Sequence, residues 1–375
     1  MILKNSHPDN LSWGFFDSPV RQRITRRLLS SVVYIIIPAI ALAMNLGAAI
    51  AATFPLPEEG DNIVGDIQVV TIAHPDTTLL DIARHYDLGY EEIVLTNPDV
   101  SVWVPKLGTR VIIPTEFILP PGPMEGIVIN IPQRRLFYFP KPAPRQPAQV
   151  ITFPISIARE GWRTPLGQSR VIAKHKDPSW FVPKSIQEEH RSEGDTEFPT
   201  YFPPGPDNPM GMLAIQTGFP GIFIHGTNMP WGVGMRTSHG CLHLYPEDAV
   251  QLFSMVPVGT PVRIIDEPVT VGARDGVLYL SSSNPVGEYP ELPAATRALS
   301  ALVPYTQDSG AAFSYAEVDW SRVYDAAVAH QIMPIPISQG AYNVEDLIAS
   351  IEPQPFENEP YGTDANAAAP PDYIR

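Results

Sequence analysis

The sequence predicts a mainly β protein with α+β elements. Short strand-like runs bounded by Gly, Pro or Asn recur through its middle: "GIVINI", "RLFYFP", "AQVITFPISIA", "SRVIAKH", "GIFIHG" and "TPVRIID". Proline is abundant, 43 of 375 residues, which favours strands, turns and linkers over long helices. Helical periodicity is confined to short patches. At this length, with 44% hydrophobic residues, the chain can build two or three domains around a sizeable core. Net charge is −15 and no basic patch stands out, which argues against nucleic-acid binding. A single cysteine rules out an internal disulfide, and in an exported protein it reads as a free reactive thiol.

Residues 1–51 read as a signal peptide or signal-anchor. Arg21, Arg23, Arg26 and Arg27 precede the apolar run "SVVYIIIPAIALAMNLGAAIAA", which ends in small residues at Ala49 and Ala51. Pro38 and the short length of the run disfavour a stable transmembrane helix. The expected location is the periplasm or cell envelope, with membrane attachment only if the segment stays uncleaved.

Residues 66–115 read as a small module. "DIQVVTIA" alternates like a strand. Leu79, Ile82, Ala83 and Tyr86 then fall on one helical face, with Thr78 and Asp81 spaced as a capping box. "YEEIVLTNPDV" predicts a second helix stopped at Asn97-Pro98, and "GTRVIIP" a closing strand. The Pro-rich "ILPPGPMEG" separates this module from the β-rich region over 125–266. Within that region, residues 184–211 form a polar excursion that reads as a lid or binding loop. Residues 245–256 predict a helix with Ala249, Leu252, Phe253 and Val256 on one face. Residues 267–350 form an extension, with a strand in "DGVLYLSSS" and helices in "PAATRALSALV" and "WSRVYDAAVAHQI". Residues 351–375 read as a disordered tail.

The chemistry gathers at "TSHGCLHLY", residues 237–245. A thiol becomes a good nucleophile only as a thiolate, and nearby imidazoles can take its proton. His225 ends the strand-like "GIFIHG", where a side chain is well presented. Gly240 permits a sharp turn before Cys241, and backbone N–H groups at Gly240 and Cys241 could receive an oxyanion. The same residues allow a metal site. His239, Cys241 and His243 alternate along one strand face, and His225 completes a set of one thiolate and three imidazoles that suits zinc. A buried cysteine among satisfied histidines is the third reading. Residue types alone leave all three open.

The stretch "IHGTNMPWGVGMRTSHGCLHLYPED" resembles the signature of the L,D-transpeptidase (YkuD) family: His-Gly-Thr, fifteen intervening residues between His225 and Cys241, then Ser-His-Gly-Cys. "EGIVINIPQRRLFYFP", "GWRTPLG", "PPGPDNPMG" and "VPVGTPVRIIDEPV" are similar to its periplasmic ErfK/YbiS-type branch. "DTTLLDIA", Asn97-Pro98 and "GTRVIIP" resemble the LysM module, which in its family binds glycan chains. The resemblance implies a β-sandwich-like catalytic domain beside a βααβ LysM-like module. It implies that Cys241 attacks the meso-diaminopimelate–D-alanine bond of a tetrapeptide stem, releases D-alanine and holds a thioester. The acyl group then passes to an amine, of an envelope lipoprotein lysine or of a second diaminopimelate. His225 would be the base, oriented by the Gly226 carbonyl. His239, Gly240 and Cys241 would shape the oxyanion pocket, with Ser238 supporting the loop. Trp162, Thr164, Asn208, Met210 and Trp231 are candidates for lining the substrate cleft. No cofactor or metal is called for. Partners would be peptidoglycan stem peptides and glycan chains. Water as acceptor would give an L,D-carboxypeptidase, and an inert site a wall-binding protein.

One position departs from the family pattern. His243 stands where the family carries arginine. Arginine is a permanent forked cation, whereas histidine is mostly neutral near pH 7. If a cation is needed there, activity should rise as pH falls toward the imidazole pKa.

Overall fold

The computed structural model describes residues 51–287, 292–307 and 312–358. The expected signal segment, but for Ala51, lies outside them. Among them no helix is long and apolar enough to cross a membrane. The chain is strand-rich with several helices, as its composition and runs predict.

After a short strand, β1 (Thr53–Pro55), the module begins with β2 (Ile63–Ile72). Helix α1 (Leu79–His85), α2 (Tyr90–Thr96) and β3 (Arg110–Ile118) follow. The capping box forms: Thr78 Oγ1 accepts from the Asp81 N–H at 3.1 Å, and Asp81 Oδ2 accepts from the Thr78 N–H at 2.8 Å. Leu79, Ile82 and Ala83 are buried. Asn97 ends α2 and ties it to β3, donating to the carbonyls of Ile93 and Ile112 and accepting from the Ile112 N–H. Strands β2 and β3 pair antiparallel along their length.

The β-rich region supplies β4 (Gly126–Asn130), β5 (Arg135–Phe139), β6 (Gln149–Pro154), β7 (Ile157–Ala158), β8 (Gly167–Lys176) and β9 (Trp180–Phe181). Then come α3 (Lys184–Ser192), β10 (Tyr201–Phe202), β11 (Leu213–Thr217), β12 (Phe223–His225), β13 (Arg236–Ser238), β14 (Leu242–His243), α4 (Pro246–Met255) and β15 (Pro261–Ile265). A nine-stranded sheet runs β1-β6-β5-β4-β15-β8-β11-β12-β14, with β15/β4 and β12/β14 parallel. The excursion over 184–211 is not a plain loop. It opens with α3, whose only buried residue is Ile186, and closes on the β9/β10 pair. So few apolar positions left no periodicity to read.

The central strands are buried on both faces, and alternation sorts them between two cores. Ile127, Ile129, Leu136 and Tyr138 join one core with α4; Val128, Phe137, Phe139 and Val150 join the core of the module. The Pro-rich stretch is therefore no spacer, because module and sheet share one apolar interior. A buried ion pair crosses that junction. Arg135 Nε and Nη2 donate to Glu92 at 2.8 and 2.7 Å, Nη2 also to the Asp87 carbonyl, and Nη1 to Thr152 Oγ1.

The extension contains β16 (Val269–Arg274), β17 (Val277–Ser282), α5 (Ala294–Thr306), α6 (Trp320–Val328), β18 (Ile335–Pro336), α7 (Val344–Ser350) and β19 (Gln354–Phe356). Asp275 and Gly276, with φ of 52° and 74°, make the tight turn of the β16/β17 hairpin. This hairpin, α5 and α6 enclose a third core. The expectation of disorder from residue 351 fails at its start. Strand β19 pairs parallel to β2, and Phe356 is buried in the module's core. Residues 359–375 lie outside the described set.

Candidate active site

Parallel pairing of β12 with β14 sets His225 opposite His243, and their rings stand 4.6 Å apart. Cys241 immediately precedes β14, two residues before His243. The Cys241 Sγ lies 3.6 Å from the Gly221 carbonyl. Burial pushes its thiol up to about 11, against a partial offset from the Phe223 N–H. His225 is buried, and its Nδ1 donates to the Gly226 carbonyl at 2.6 Å, leaving Nε2 as the acceptor. Burial brings His225 down to about 4, against the Gly226 and Met210 backbone groups. At neutral pH the site thus rests as neutral thiol and neutral imidazole.

Gly240 adopts φ of 123°, open to glycine and strained for other residues. A Cβ there would stand 3.2 Å from the Arg163 carbonyl and from Ile222 Cδ1. Its N–H donates to Ser238 Oγ at 3.1 Å, and its carbonyl accepts from buried Thr164 Oγ1 at 2.8 Å. Ser238 Oγ in turn donates to the Cys241 carbonyl at 2.5 Å. Ser238 and Thr164 brace the loop from both sides. The Gly240 N–H, expected as an oxyanion donor, is taken by that bracing.

His239 turns to a separate cluster. Its Nε2 lies 2.9 Å from Glu189 Oε2 on α3 and 2.8 Å from Arg159 Nη2, and its ring meets Trp162 edge-on at 4.6 Å. Trp162 Nε1 donates to Glu189 Oε1 at 3.0 Å, and Arg159 pairs with Glu189 Oε2. Arg159 and Glu189 escaped the sequence reading: Arg159 belongs to no motif there, and Glu189 sits in a charged run. The guanidinium beside His239 Nε2 would repel a metal cation at that nitrogen. Among the described residues no group of three His, Cys, Asp or Glu is arranged to hold a metal ion.

His243 does not supply the charge of the arginine it replaces. Burial, with His225 and His239 nearby, holds it well below the usual imidazole range. The expected rise of activity toward acidic pH through a cationic His243 loses its basis. Asn208 also differs from expectation: its amide is committed to its own loop. It donates to the Pro178 and Pro203 carbonyls and accepts from the Met210 N–H, so it braces that loop rather than facing a ligand. Met210 is buried beside His225. Trp231 is half-buried on a 3-10 turn (Pro230–Gly232), outside these hydrogen-bonded groups.

Residues 125–264 match the YkuD L,D-transpeptidase catalytic domain. Over 251 residues the chain is 41% identical to the probable L,D-transpeptidase YbiS of Escherichia coli K12, spanning 66% of this chain and 80% of that one. It is 35% identical over 309 residues to the probable L,D-transpeptidase ErfK/SrfK of the same organism, spanning 82% and 97%. A third E. coli relative, the probable L,D-transpeptidase YcfS, is 37% identical over 255 residues, spanning 67% and 78%.

Proposed function

This chain belongs to the L,D-transpeptidase family, whose members act on peptidoglycan, and from that premise we propose that Cys241 is its nucleophile and His225 its base. The observation that carries the assignment is the β12/β14 pairing, which sets the cysteine loop against a histidine whose Nδ1 is fixed on the Gly226 carbonyl. Because both groups rest neutral, the thiol proton moves to His225 Nε2 as Sγ attacks the carbonyl between diaminopimelate and D-alanine. The tetrahedral oxyanion is met by the loop at Cys241, whose own N–H serves as a donor, while Ser238 and Thr164 hold that loop in shape. Collapse gives a thioester and D-alanine, whose amine leaves with the proton from His225. An incoming amine then gives up a proton to His225 and takes the acyl group; the C–S bond breaks, and that proton returns from His225 to Cys241 Sγ.

The acceptor is an amine, the lysine of an envelope lipoprotein or a second diaminopimelate, and the site of action is the periplasmic face of the wall. The LysM-like module would hold glycan. Incubation of the mature protein with a carbapenem, read by intact mass, tests the nucleophile. A one-to-one adduct lost in Cys241→Ala is expected, and an adduct that persists would overturn the assignment. Tetrapeptide muropeptide, with and without a lysine-ended peptide, then distinguishes lipoprotein anchoring, cross-linking and hydrolysis by product mass.

A further inference from the structure

We propose that Arg159, Trp162 and His239 form a carboxylate subsite beside the Cys241 loop, filled here by Glu189 of α3 and taken over by the terminal D-alanine carboxylate of the donor. The proposal rests on the transpeptidase reading above. Three N–H donors converge on one carboxylate: Trp162 Nε1 on Oε1, and Arg159 Nη2 and His239 Nε2 on Oε2. With Glu189 ionised, His239 Nε2 must carry its proton to donate. Arg159 Nη2 and His239 Nε2 are then two donors only 2.8 Å apart, an arrangement that is repulsive unless an anion sits between them. Although desolvation opposes it, the hydrogen bonds from Trp162, Arg159 and His239 hold Glu189 below the ordinary carboxylate range. Arg159 Nε is buried and has no hydrogen-bond partner among the described residues, which leaves the guanidinium a further donor for an anion.

The position suits the donor. His239 is two residues from Cys241, and Trp162 lies two residues before Thr164, which bonds the Gly240 carbonyl. In a tetrapeptide ending in D-alanine, only a nitrogen and one carbon separate the attacked carbonyl from the terminal carboxylate. That carboxylate therefore falls within about one residue's length, ~3.8 Å, of the reacting carbon. The occupant now in place is replaceable, since α3 buries only Ile186 of its own residues. Glu189 would then cap the empty subsite and keep the two donors apart from each other's charge until substrate enters.

The test uses the full chain and three synthetic donors: the tetrapeptide, its C-terminal carboxamide, and the tetrapeptide with amidated diaminopimelate. D-alanine or D-alaninamide release gives kcat and KM, and intact mass gives the Cys241 acyl-enzyme. The wild type should favour the carboxylate over the C-terminal carboxamide by about tenfold or more in kcat/KM, as loss of a charge-assisted hydrogen bond implies. Arg159→Gln should erase that preference, while Arg159→Lys keeps part of it. The isosteric Glu189→Gln should lower KM for the carboxylate donor with little change in kcat. Equal use of the carboxylate and C-terminal carboxamide by a wild type that forms acyl-enzyme overturns the subsite alone. So does a preference that follows diaminopimelate amidation, or a Glu189→Gln enzyme losing kcat equally on both donors. No Cys241 acyl-enzyme from any donor would remove the transpeptidase reading itself, and this proposal with it.

Discussion

At the scale of residues, the proposed mechanism works through neutral groups held by burial. His225 is drawn down to about 4 and Cys241 up to about 11, so neither changes charge between about pH 5 and 9. Carbapenem acylation should be flat across that window and fall only below it, as His225 takes a proton and ceases to be a base. A bell with both limbs near neutrality would mean a pre-formed thiolate–imidazolium pair instead. Replacing His225 by Gln should slow acylation by roughly 10²–10⁴-fold, the usual contribution of a positioned base. His243→Gln should leave the pH profile unmoved, because that imidazole is already neutral. Gly240→Ala places a Cβ against the Arg163 carbonyl in a left-handed backbone, and should cost about 1–3 kcal/mol with loss of acylation. Calorimetry and intact mass would read the two effects separately.

At the scale of elements, what could be read from the chain followed from local periodicity. The capping box at Thr78 and Asp81, the apolar face of α1 and the buried face of α4 all repeat with a helical period and were legible. Helix α3 was not, since its one buried side chain gives no stripe. Nor was the Arg135–Glu92 pair, whose partners lie 43 positions apart and meet only when α2 docks on the sheet. Its strength is a consequence of that docking. Glu92→Gln leaves the Arg135 charge buried with half its partners, and should destabilise by about 3–5 kcal/mol. For a chain of this size that is a melting-temperature loss of roughly 4–8 °C. A loss under about 2 °C would show that the junction relaxes around the change.

At the scale of the whole molecule, the seam between module and sheet holds two buried carboxyls. Asp87, after α1, is pushed up to about 7, first by burial; Asp248, in the first turn of α4, is held well above the carboxylate range, first by burial and then by Asp87. Arg135, Arg84 and Glu247 also face the pair, the arginines partly offsetting the two acids. Both Asp248 oxygens lack a hydrogen-bond partner among the described residues. In the unfolded chain these carboxyls ionise near pH 4; in the folded chain Asp87 ionises only near 7, and Asp248 is displaced in the same direction. The folded state therefore binds more protons between those values, and stability falls as pH rises from about 4 to about 7. Asp248→Asn should flatten that slope and raise stability at pH 8. Denaturant melts at pH 5 and 8 would read it, and an unchanged slope would sink the assignment. Truncation after residue 350 should also lower the melting temperature, because it removes β19 and unburies Phe356.

The sequence by itself determined the family and the local elements. The spacing from His225 to Cys241, the glycine before the cysteine and the short periodic runs are properties of neighbours along the chain. Tertiary structure alone decided what charge those residues carry and what they touch. Burial, which no local pattern encodes, neutralises His243 and silences the cation expected there. Only packing brings Glu189 to His239 across 50 positions, and only the shared core makes the module and the sheet one body.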